Sequence, residues 1–458
     1  MKVFLKTVSL TAFCAVLGFP VCAETLLDAL AYTYETNPIL QAQRAYLRSV
    51  DEKVGQAKAG YRPYVGIEAD ATHADQKFKG YPQMGDFDYD NDTYDAGVVL
   101  KQSVFSGFKT VSSVDYAETN VLKERENNRS VEQNVLLSAA IAYVDVIRDR
   151  AVLELQKNQE QVLKRHLSSY EKRYKVGDLT KTDVAQSEAR LEGAKANRIT
   201  AQGNLDASVA GYVSLIGKQP DKKIEIDDYA NLLPKTLEDA LARVNEANPE
   251  LKASEYAQKA SEHNVSLQKG SLMPEVTINA GAGYQWGQPL PVLDDNYDGQ
   301  YWQVGAKLSV PLYQGGAEYA KIREAKQLSN QARISLEQVR RDLIKRTTQA
   351  WEQYQSAKSA ITSIKAQIKA SKMALDGTIR EADVGSRTVL DVLDAEQEYL
   401  NYRVALVTAE RNMTASALNL LALTGNMTAD SLKLKVTLYE PKDHYDEVKN
   451  KWIGTGVD

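Results

Sequence analysis

The sequence predicts a mainly α-helical protein with a transmembrane β part, built from two copies of one structural unit. Three observations support this prediction. The chain matches itself in register, two proline-free stretches carry apolar residues at helical spacing, and four segments alternate apolar with polar residues. Together these patterns indicate long helical hairpins that are joined to pairs of β-strands.

Residues 1–23 have the pattern of an export signal. Lys2 and Lys6 precede an apolar run, and small residues before position 24 form a cleavage site. The only two cysteines, Cys14 and Cys22, lie inside this predicted signal peptide. The mature chain is therefore expected to contain no disulfide and no thiolate metal site.

The charge balance argues against a nucleic-acid partner. Removing Lys2 and Lys6 from the 56 basic residues leaves 54 against 61 acidic ones, so the formal net charge changes from -5 to -7. After the signal, no apolar run approaches the roughly 20 residues of a membrane-spanning helix. Any part of the chain that crosses a membrane is therefore expected to do so as β-strands.

The internal duplication is visible in short motifs. Asp-Ala-Leu followed by Asn-Pro occurs at 28–30 and 37–38, and again at 239–241 and 248–249. The other matches kept in register are 97–107 with 305–315, 176–191 with 384–399, and the closing glycines Gly217 and Gly425. Matches that keep their order and nearly the same spacing over this distance predict two structurally equivalent halves.

The predicted organisation follows from these matches. After the signal peptide, the first repeat occupies 24–217 and contains a helix, two strands and a long helical hairpin. A linker or equatorial segment at 218–236 leads to the second repeat at 237–425. A C-terminal equatorial segment or tail at 426–458 completes the chain.

Proline placement predicts the helices. No proline occurs from 83 to 219 or from 312 to 440, and proline breaks helix interiors. Each stretch is predicted to be one very long helix, a turn at Val176-Gly177 or Val384-Gly385, and a second long helix. A single helix over 108–175 would extend roughly 100 Å. Such helices are expected to pack side by side as a coiled coil or cylinder.

The remaining segments alternate with period two. Strands of about ten residues with one apolar face, and with aromatic residues near their ends, are typical of outer-membrane barrels. The polar stretches 74–92 and 287–299 are expected to be extracellular loops. The apolar faces are predicted to consist of Val65, Ile67, Ala69 and Ala71; Tyr94, Ala96, Val98 and Leu100; Val276, Ile278, Ala280, Ala282, Tyr284 and Trp286; and Trp302, Val304, Ala306, Leu308 and Val310.

Four strands per chain predict an oligomer. An open four-stranded sheet in lipid leaves two edges of unpaired N–H and C=O groups, each of which costs several kcal/mol. Two copies would close a narrow eight-stranded barrel, and three copies would close a twelve-stranded barrel with an open lumen. The strand pattern alone does not decide between them.

The duplicated plan resembles the TolC family of outer-membrane efflux and secretion channels. The shared features are the Asn-Pro after Asp-Ala-Leu, the glycine turns after the return strands, and the V-G-x-x-T-x-x-D-V tips. The resemblance implies a homotrimer with a shared 12-stranded β-barrel in the outer membrane of a Gram-negative cell. A long α-helical coiled-coil tunnel would continue the barrel across the periplasm, and a periplasmic adaptor (membrane fusion protein) and a proton-driven or ABC-type inner-membrane transporter would be partners.

Two aspartates, Asp391 and Asp394, are predicted to form the gate. They lie three residues apart on one helical face, and in a threefold assembly they would form rings. Carboxylates about 6 Å apart at an effective dielectric near 20 repel by roughly 3 kcal/mol. We expect raised pKa values and cation attraction. The resemblance matches both residues to the aspartate rings of the family, which select cations and offer a site for block by multivalent cations.

A local role competes with the pore role for Asp391. Thr388 can cap the second helix of its hairpin with Asp391 at the third helical position, and Thr180 with Asp183 repeats the pattern. Asp394 has no such capping role, because its counterpart in the first copy is Gln186.

The resemblance also implies a latch and a docking surface. It assigns Arg387 to a link with Thr182 and Asp183 that holds the entrance shut. The family often has a tyrosine where this chain has Ala382. The turn residues are predicted to be helix C-caps with left-handed glycines, and in the family the same tips receive the adaptor: Val176, Gly177, Val384 and Gly385.

No set of nucleophile, base and orienting group is found, so no enzyme activity, no cofactor and no structural metal are predicted. The predicted function is a passive exit duct of a tripartite efflux or type I secretion system. An alternative is a periplasmic coiled-coil adaptor, although adaptors usually carry one hairpin rather than two. A monomeric porin conflicts with the strand count. The sequence does not distinguish drugs from proteins as cargo.

Overall fold

The computed structural model describes residues 24–81, 85–221, 224–225, 232–287 and 297–456. The predicted signal peptide and residues 222–223 and 226–231 of the predicted linker at 218–236 lie outside these ranges. Within them, two repeats of helix, helix, strand, strand and long helical hairpin follow one another. No helix in the described ranges is both long enough and apolar enough to cross a membrane.

The first repeat begins with a short strand and two helices. Its elements are β1 (Glu24–Thr25), α1 (Leu26–Thr36), α2 (Pro38–Lys58), β2 (Tyr64–Tyr81), β3 (Gly85–Phe105), α3 (Lys109–Lys175) and α4 (Lys181–Ile216). The predicted hairpin is confirmed, and α3, at 67 residues, extends roughly 100 Å.

The second repeat has the same order. After β4 (Ile224–Glu225), which pairs in parallel with β1, it consists of α5 (Leu237–Ala247), α6 (Pro249–Lys269), β5 (Glu275–Gly287), β6 (Tyr297–Ser309), α7 (Ala317–Asp383) and α8 (Val389–Leu423). Helix α9 (Pro441–Val448) follows in the C-terminal segment. The predicted duplication is therefore present in the fold.

The repeated Asn-Pro motif has a structural role in both copies. Asn37 caps α2 by accepting a hydrogen bond from the N–H of Ile39, and its amide donates to the carbonyl of Leu215. Asn248 caps α6 and donates to Leu423 in the same way, at 2.9 Å. One side chain thus satisfies a helix start and a helix end, which ties each hairpin to the beginning of its repeat.

The four long strands form one antiparallel sheet in the order β2-β3-β5-β6. The apolar face predicted from the sequence is exposed: Ile67 is 83% accessible, Trp302 80% and Val304 69%. Among the strands that the structure describes, β2 and β6 each pair along one side only. The sheet therefore presents an apolar surface and two edges with free hydrogen-bonding groups.

The first predicted loop is wrong. Strand pairing continues from Thr72 opposite Thr93 through residues 74–78 and 87–91, so most of the expected loop 74–92 is a strand hairpin. Backbone hydrogen bonds hold this hairpin regardless of side-chain polarity. The segment was predicted as a loop because its side chains are polar. The second predicted loop, 287–299, lies mostly outside the described residues, between the end of β5 and the start of β6.

The main core lies at the middle of α3 and at the ends of α4 and α8. Residues of α1, α3, α4, α8 and the C-terminal segment bury their apolar side chains together: Leu26, Leu30, Tyr143, Tyr212, Leu418 and Met427. The hydroxyls of Tyr143 and Tyr212 donate to the backbone and side chain of Glu24, at 2.8 and 2.9 Å. This core holds Glu24 and α1 against both hairpins.

Candidate functional site

The candidate site is the pair of turns at the far end of the hairpins, here called the tips. Gly177 and Gly385 end α3 and α7 with φ of 80° and 82°, which is the left-handed region that glycine adopts without strain. The predicted C-caps are confirmed. The side chains of Val176 and Val384 beside them are 81% and 80% exposed, so each tip presents one apolar residue to its surroundings.

Both predicted capping boxes are confirmed. The Thr388 hydroxyl accepts from the N–H of Asp391 at 3.2 Å, and the Asp391 carboxylate accepts from the Thr388 N–H at 2.9 Å. Thr180 and Asp183 make the same two bonds at 3.2 and 2.9 Å. Because the two caps have matching geometry, α4 and α8 leave their tips in the same way.

In the single chain the pKa of Asp391 is lowered, and the raised pKa expected for rings in a threefold assembly stays a prediction. The N–H and hydroxyl of Thr388 both donate to its carboxylate and hold its pKa below the ordinary 3.8, and the charge of Arg387 adds to this lowering. Hydrogen bonds to the charged form outweigh desolvation at this partly exposed position. Asp391 is therefore anionic at neutral pH.

Asp394 lies one turn further along α8 and is exposed. Its carboxylate accepts a hydrogen bond from the guanidinium of Arg190 on α4. No sequence motif identified Arg190 as a partner of Asp394. The two matched capping boxes were the sequence signal that could have identified Arg190. Arg190 lies about one helical turn further along α4 from its capping residue Thr180 than Asp394 lies along α8 from Thr388.

A second link between the hairpins was also missed. His166 of α3 contacts the carboxylate of Glu396 on α8 at 2.8 Å, and the Glu396 side chain is only 7% exposed. The ring of His166 stacks on Tyr170, with centroids 5.7 Å apart. The sequence gives no indication of this contact, because His166 and Glu396 are 230 positions apart.

Apolar packing supports these polar links. Val389 and Leu393 of α8 are buried against the first hairpin, where they meet Leu163, Tyr170 and Leu191. Burial of such side chains contributes about 1.5–3 kcal/mol each. The first turns of α8 are thereby fixed on the first hairpin.

Arg387 has a different partner in the single chain from those predicted. It donates to Glu381 of its own tip at 2.9 Å. Arg387 and Asp183 nevertheless line the same cavity of about 450 Å³ between the tips, together with Ala382. The predicted link of Arg387 to Thr182 and Asp183 stays a prediction.

Within the described ranges, no group of three or more His, Cys, Asp or Glu residues could hold a metal ion. The polar side chains of the tips form hydrogen bonds and ion pairs with other groups of the tips. The chemistry that the site can perform is electrostatic: it can attract cations and hold two hairpins together through breakable ion pairs.

Comparison with known proteins agrees with this architecture. The protein resembles the outer membrane efflux protein BepC of Brucella suis, with 34% identity over 95% of this chain and 93% of that protein. It is 24% identical to the outer membrane protein TolC of Escherichia coli over 92% of this chain and 86% of that protein. The structure of the Campylobacter jejuni outer membrane channel CmeC superposes with a TM-score of 0.78, at 14% identity over 93% of this chain and 89% of that chain.

The duplicated hairpins and the strand pairs give this chain the fold of that channel subunit. The family described as "Outer membrane efflux protein" matches residues 32–218 and 240–426, one match for each repeat. This chain belongs to that family. It is an outer-membrane exit duct that extends into the periplasm of a Gram-negative cell, and it is not an enzyme. The adaptor alternative is therefore set aside.

Proposed function

We propose that three copies of this chain form the complete duct. The observation that carries the proposal is the four-stranded sheet, whose two outer strands are each unpaired on one side and whose apolar residues are exposed. Edge groups left unpaired in lipid cost several kcal/mol each. Three sheets joined edge to edge give a closed 12-stranded β-barrel, wide enough for a lumen.

The hairpins of the three copies then line a coiled-coil tunnel. Its narrow end carries three copies of Asp391 and Asp394 around one axis. In the single chain the N–H and hydroxyl of Thr388 donate to the Asp391 carboxylate and lower its pKa, which favours its charged form. Asp394 is partly compensated by Arg190. The gate therefore attracts cations mainly through Asp391.

Closure of the gate depends on contacts between the hairpins. Arg190 with Asp394 and His166 with Glu396 join α8 to the first hairpin. Arg387 extends these contacts to Thr182 and Asp183 when the tips approach each other across their shared cavity. Breaking these pairs allows the second hairpin to move outward and widens the entrance.

The exposed tips are the docking surface for a periplasmic adaptor. Val176 and Val384 are among the most exposed apolar residues of the described helical part, and each stands beside its turn glycine. Two equivalent tips per chain offer six similar sites around a trimer, which suits a partner that also carries repeated hairpins. An inner-membrane transporter, either proton-driven or ABC-type, would supply the energy, since the duct itself is passive.

The test of the gate is planar-bilayer recording of the purified protein beside Asp391→Ala/Asp394→Ala. Wild type is expected to show small, cation-selective conductance that trivalent cations block from the periplasmic side. The double variant is expected to lose both the block and most of the selectivity. Equal block in the two proteins would show that these aspartates do not line the pore. Native mass spectrometry in detergent tests the trimer independently.

A further inference from the structure

The C-terminal segment runs beside α2 toward the sheet. His444 of α9 contacts Asp51 at 3.2 Å, and the carbonyl of Val448 lies next to Gly55, where an added Cβ would be 3.6 Å away. Residue numbers rise together along both helices, so α9 and α2 run in parallel. The residues after α9 therefore lie close to the beginning of β2.

A defined contact fixes the end of this path. The guanidinium of Arg62 donates to the carbonyl of Lys451 at 2.8 Å. The same guanidinium lies 4.8 Å from the ring centroid of Trp452, within the range of a cation–π interaction. Arg62 is separated from the first residue of β2 by Pro63 alone. Trp452 is therefore held at the level where the sheet begins.

Two adjacent apolar side chains are displayed at this point. Trp452 is 67% exposed and Ile453 is 88% exposed. Nearby in the chain, Tyr61 and Tyr64 at the same end of the sheet are 54% and 60% exposed. Isolated exposed apolar residues are normal, but here Arg62 holds Trp452 beside the segment that carries the two exposed tyrosines, at the base of strands with an apolar face.

Basic groups accompany these aromatic residues. Arg62 and Lys451 are both positively charged and exposed or partly exposed at this level. Aromatic rings with Lys or Arg beside them are the chemistry of a membrane–water interface, where the rings lie among the headgroups and the cations meet phosphates. A phospholipid surface fits this combination of groups better than a protein groove, because the apolar pair projects from the fold.

We propose that Trp452 and Ile453 form an interfacial anchor in the periplasmic leaflet of the outer membrane. The side chains enter the headgroup region, and Arg62 and Lys451 contact phospholipid phosphates. This inference rests on the proposed function, because it requires the strands to enter the membrane at the start of β2. The anchor fixes the height of the helical part relative to the membrane.

The test uses a single label at the anchor. The two native cysteines lie in the predicted signal peptide, so Ile453→Cys provides one reactive thiol in the mature chain for a bimane fluorophore. The full-length protein is reconstituted in vesicles of phosphatidylethanolamine and phosphatidylglycerol that carry nitroxide-labelled lipid. With the nitroxide on the headgroup, the bimane label is expected to lose about half of its emission. With the nitroxide at the acyl-chain end, the loss of emission is expected to be smaller.

Two matched variants separate failure of the anchor from failure of the proposed function. Val304→Cys, on the exposed face of β6, is expected to be quenched most by the acyl-chain nitroxide. Met373→Cys, 62% exposed on α7, is expected to keep its emission. If Val304→Cys is quenched and Ile453→Cys behaves like Met373→Cys, the anchor is refuted and the duct stands. If Val304→Cys is not quenched, the membrane placement of the strands is wrong.

A neighbouring copy is the competing occupant of this surface. Pyrene attached at Ile453→Cys would then show excimer emission, or strong protection from aqueous iodide without quenching by nitroxide lipid. Either result would overturn the lipid anchor. Monomer emission together with headgroup quenching supports it.

Discussion

Arg190 of α4 donates a hydrogen bond to the carboxylate of Asp394 on α8, and this ion pair joins the two helical hairpins of one chain. The two residues are 204 positions apart. Both side chains remain substantially exposed, at 40% and 56%. The pair is therefore weak enough to break during the proposed opening, and while it is intact it compensates one of the two aspartates of the proposed gate.

We expect Arg190→Gln to favour the open gate. Exposed ion pairs contribute up to about 1 kcal/mol, which corresponds to an increase in open fraction of up to about fivefold per subunit. Cation selectivity should also rise, because Asp394 loses its partner. Single-channel recording in planar bilayers measures both quantities.

The matched control for this prediction is Arg198→Gln. Arg198 pairs with Glu160 at 2.6 Å within the first hairpin, so its loss leaves the contact between hairpins intact. An increase in open fraction of equal size in both variants would contradict the role assigned to Arg190.

Thr388→Ala should loosen the start of α8. It removes the hydroxyl that accepts from the N–H of Asp391, and loss of such a cap costs about 1 kcal/mol. Amide exchange in peptides that cover the first turn of α8, followed by mass spectrometry, should be several-fold faster. Thr180→Ala should produce the same change in the first turn of α4 and leave α8 unaffected. Exchange that is unchanged in both variants would show that packing alone holds these turns.

Glu132→Gln should change how stability depends on pH. Burial raises the pKa of Glu132 above 4.5, although its carboxylate accepts from the N–H of Ala429 and faces Arg44 and Arg129. A raised folded pKa means that this group contributes stability below 4.5 and loses that contribution as pH rises through the folded value. The melting temperature of the wild type relative to Glu132→Gln should therefore decrease from about pH 4 to about pH 8.

Circular dichroism melts of both proteins across this pH range provide the measurement. Glu410→Gln is a suitable control, because Glu410 lies on α8 with its side chain 49% exposed, near Lys365. A constant difference between wild type and Glu132→Gln would show that Glu132 does not change its proton affinity on folding.

The two closing glycines should respond unequally to alanine. Gly217 and Gly425 both have positive φ, at 94° and 81°, and an L-residue there costs roughly 1–2 kcal/mol. An added Cβ at Gly217 meets its nearest atom at 3.6 Å, whereas at Gly425 it would lie 2.7 Å from the carbonyl oxygen of Ala247. Gly425→Ala should therefore lower the melting temperature clearly more than Gly217→Ala. Equal effects would mean that the backbone near Ala247 shifts at little cost.

Much of this architecture could be predicted because its signals are local. A capping box such as Thr388 with Asp391 needs residues three positions apart, and a C-cap such as Gly385 needs one residue with positive φ. The strand faces follow from alternation along each segment. These features depend on the backbone within about one turn, and the internal repeat supplied each signal twice.

The sequence by itself determined the duplicated repeats, the helix ends and the apolar face of the sheet. Only the tertiary structure decided that Arg190 meets Asp394, that His166 meets Glu396, and that the C-terminal segment runs up α2 to Arg62. These contacts join residues that are hundreds of positions apart. They depend on how far one long helix is shifted and rotated against another, and that offset is set by the packing of many side chains together.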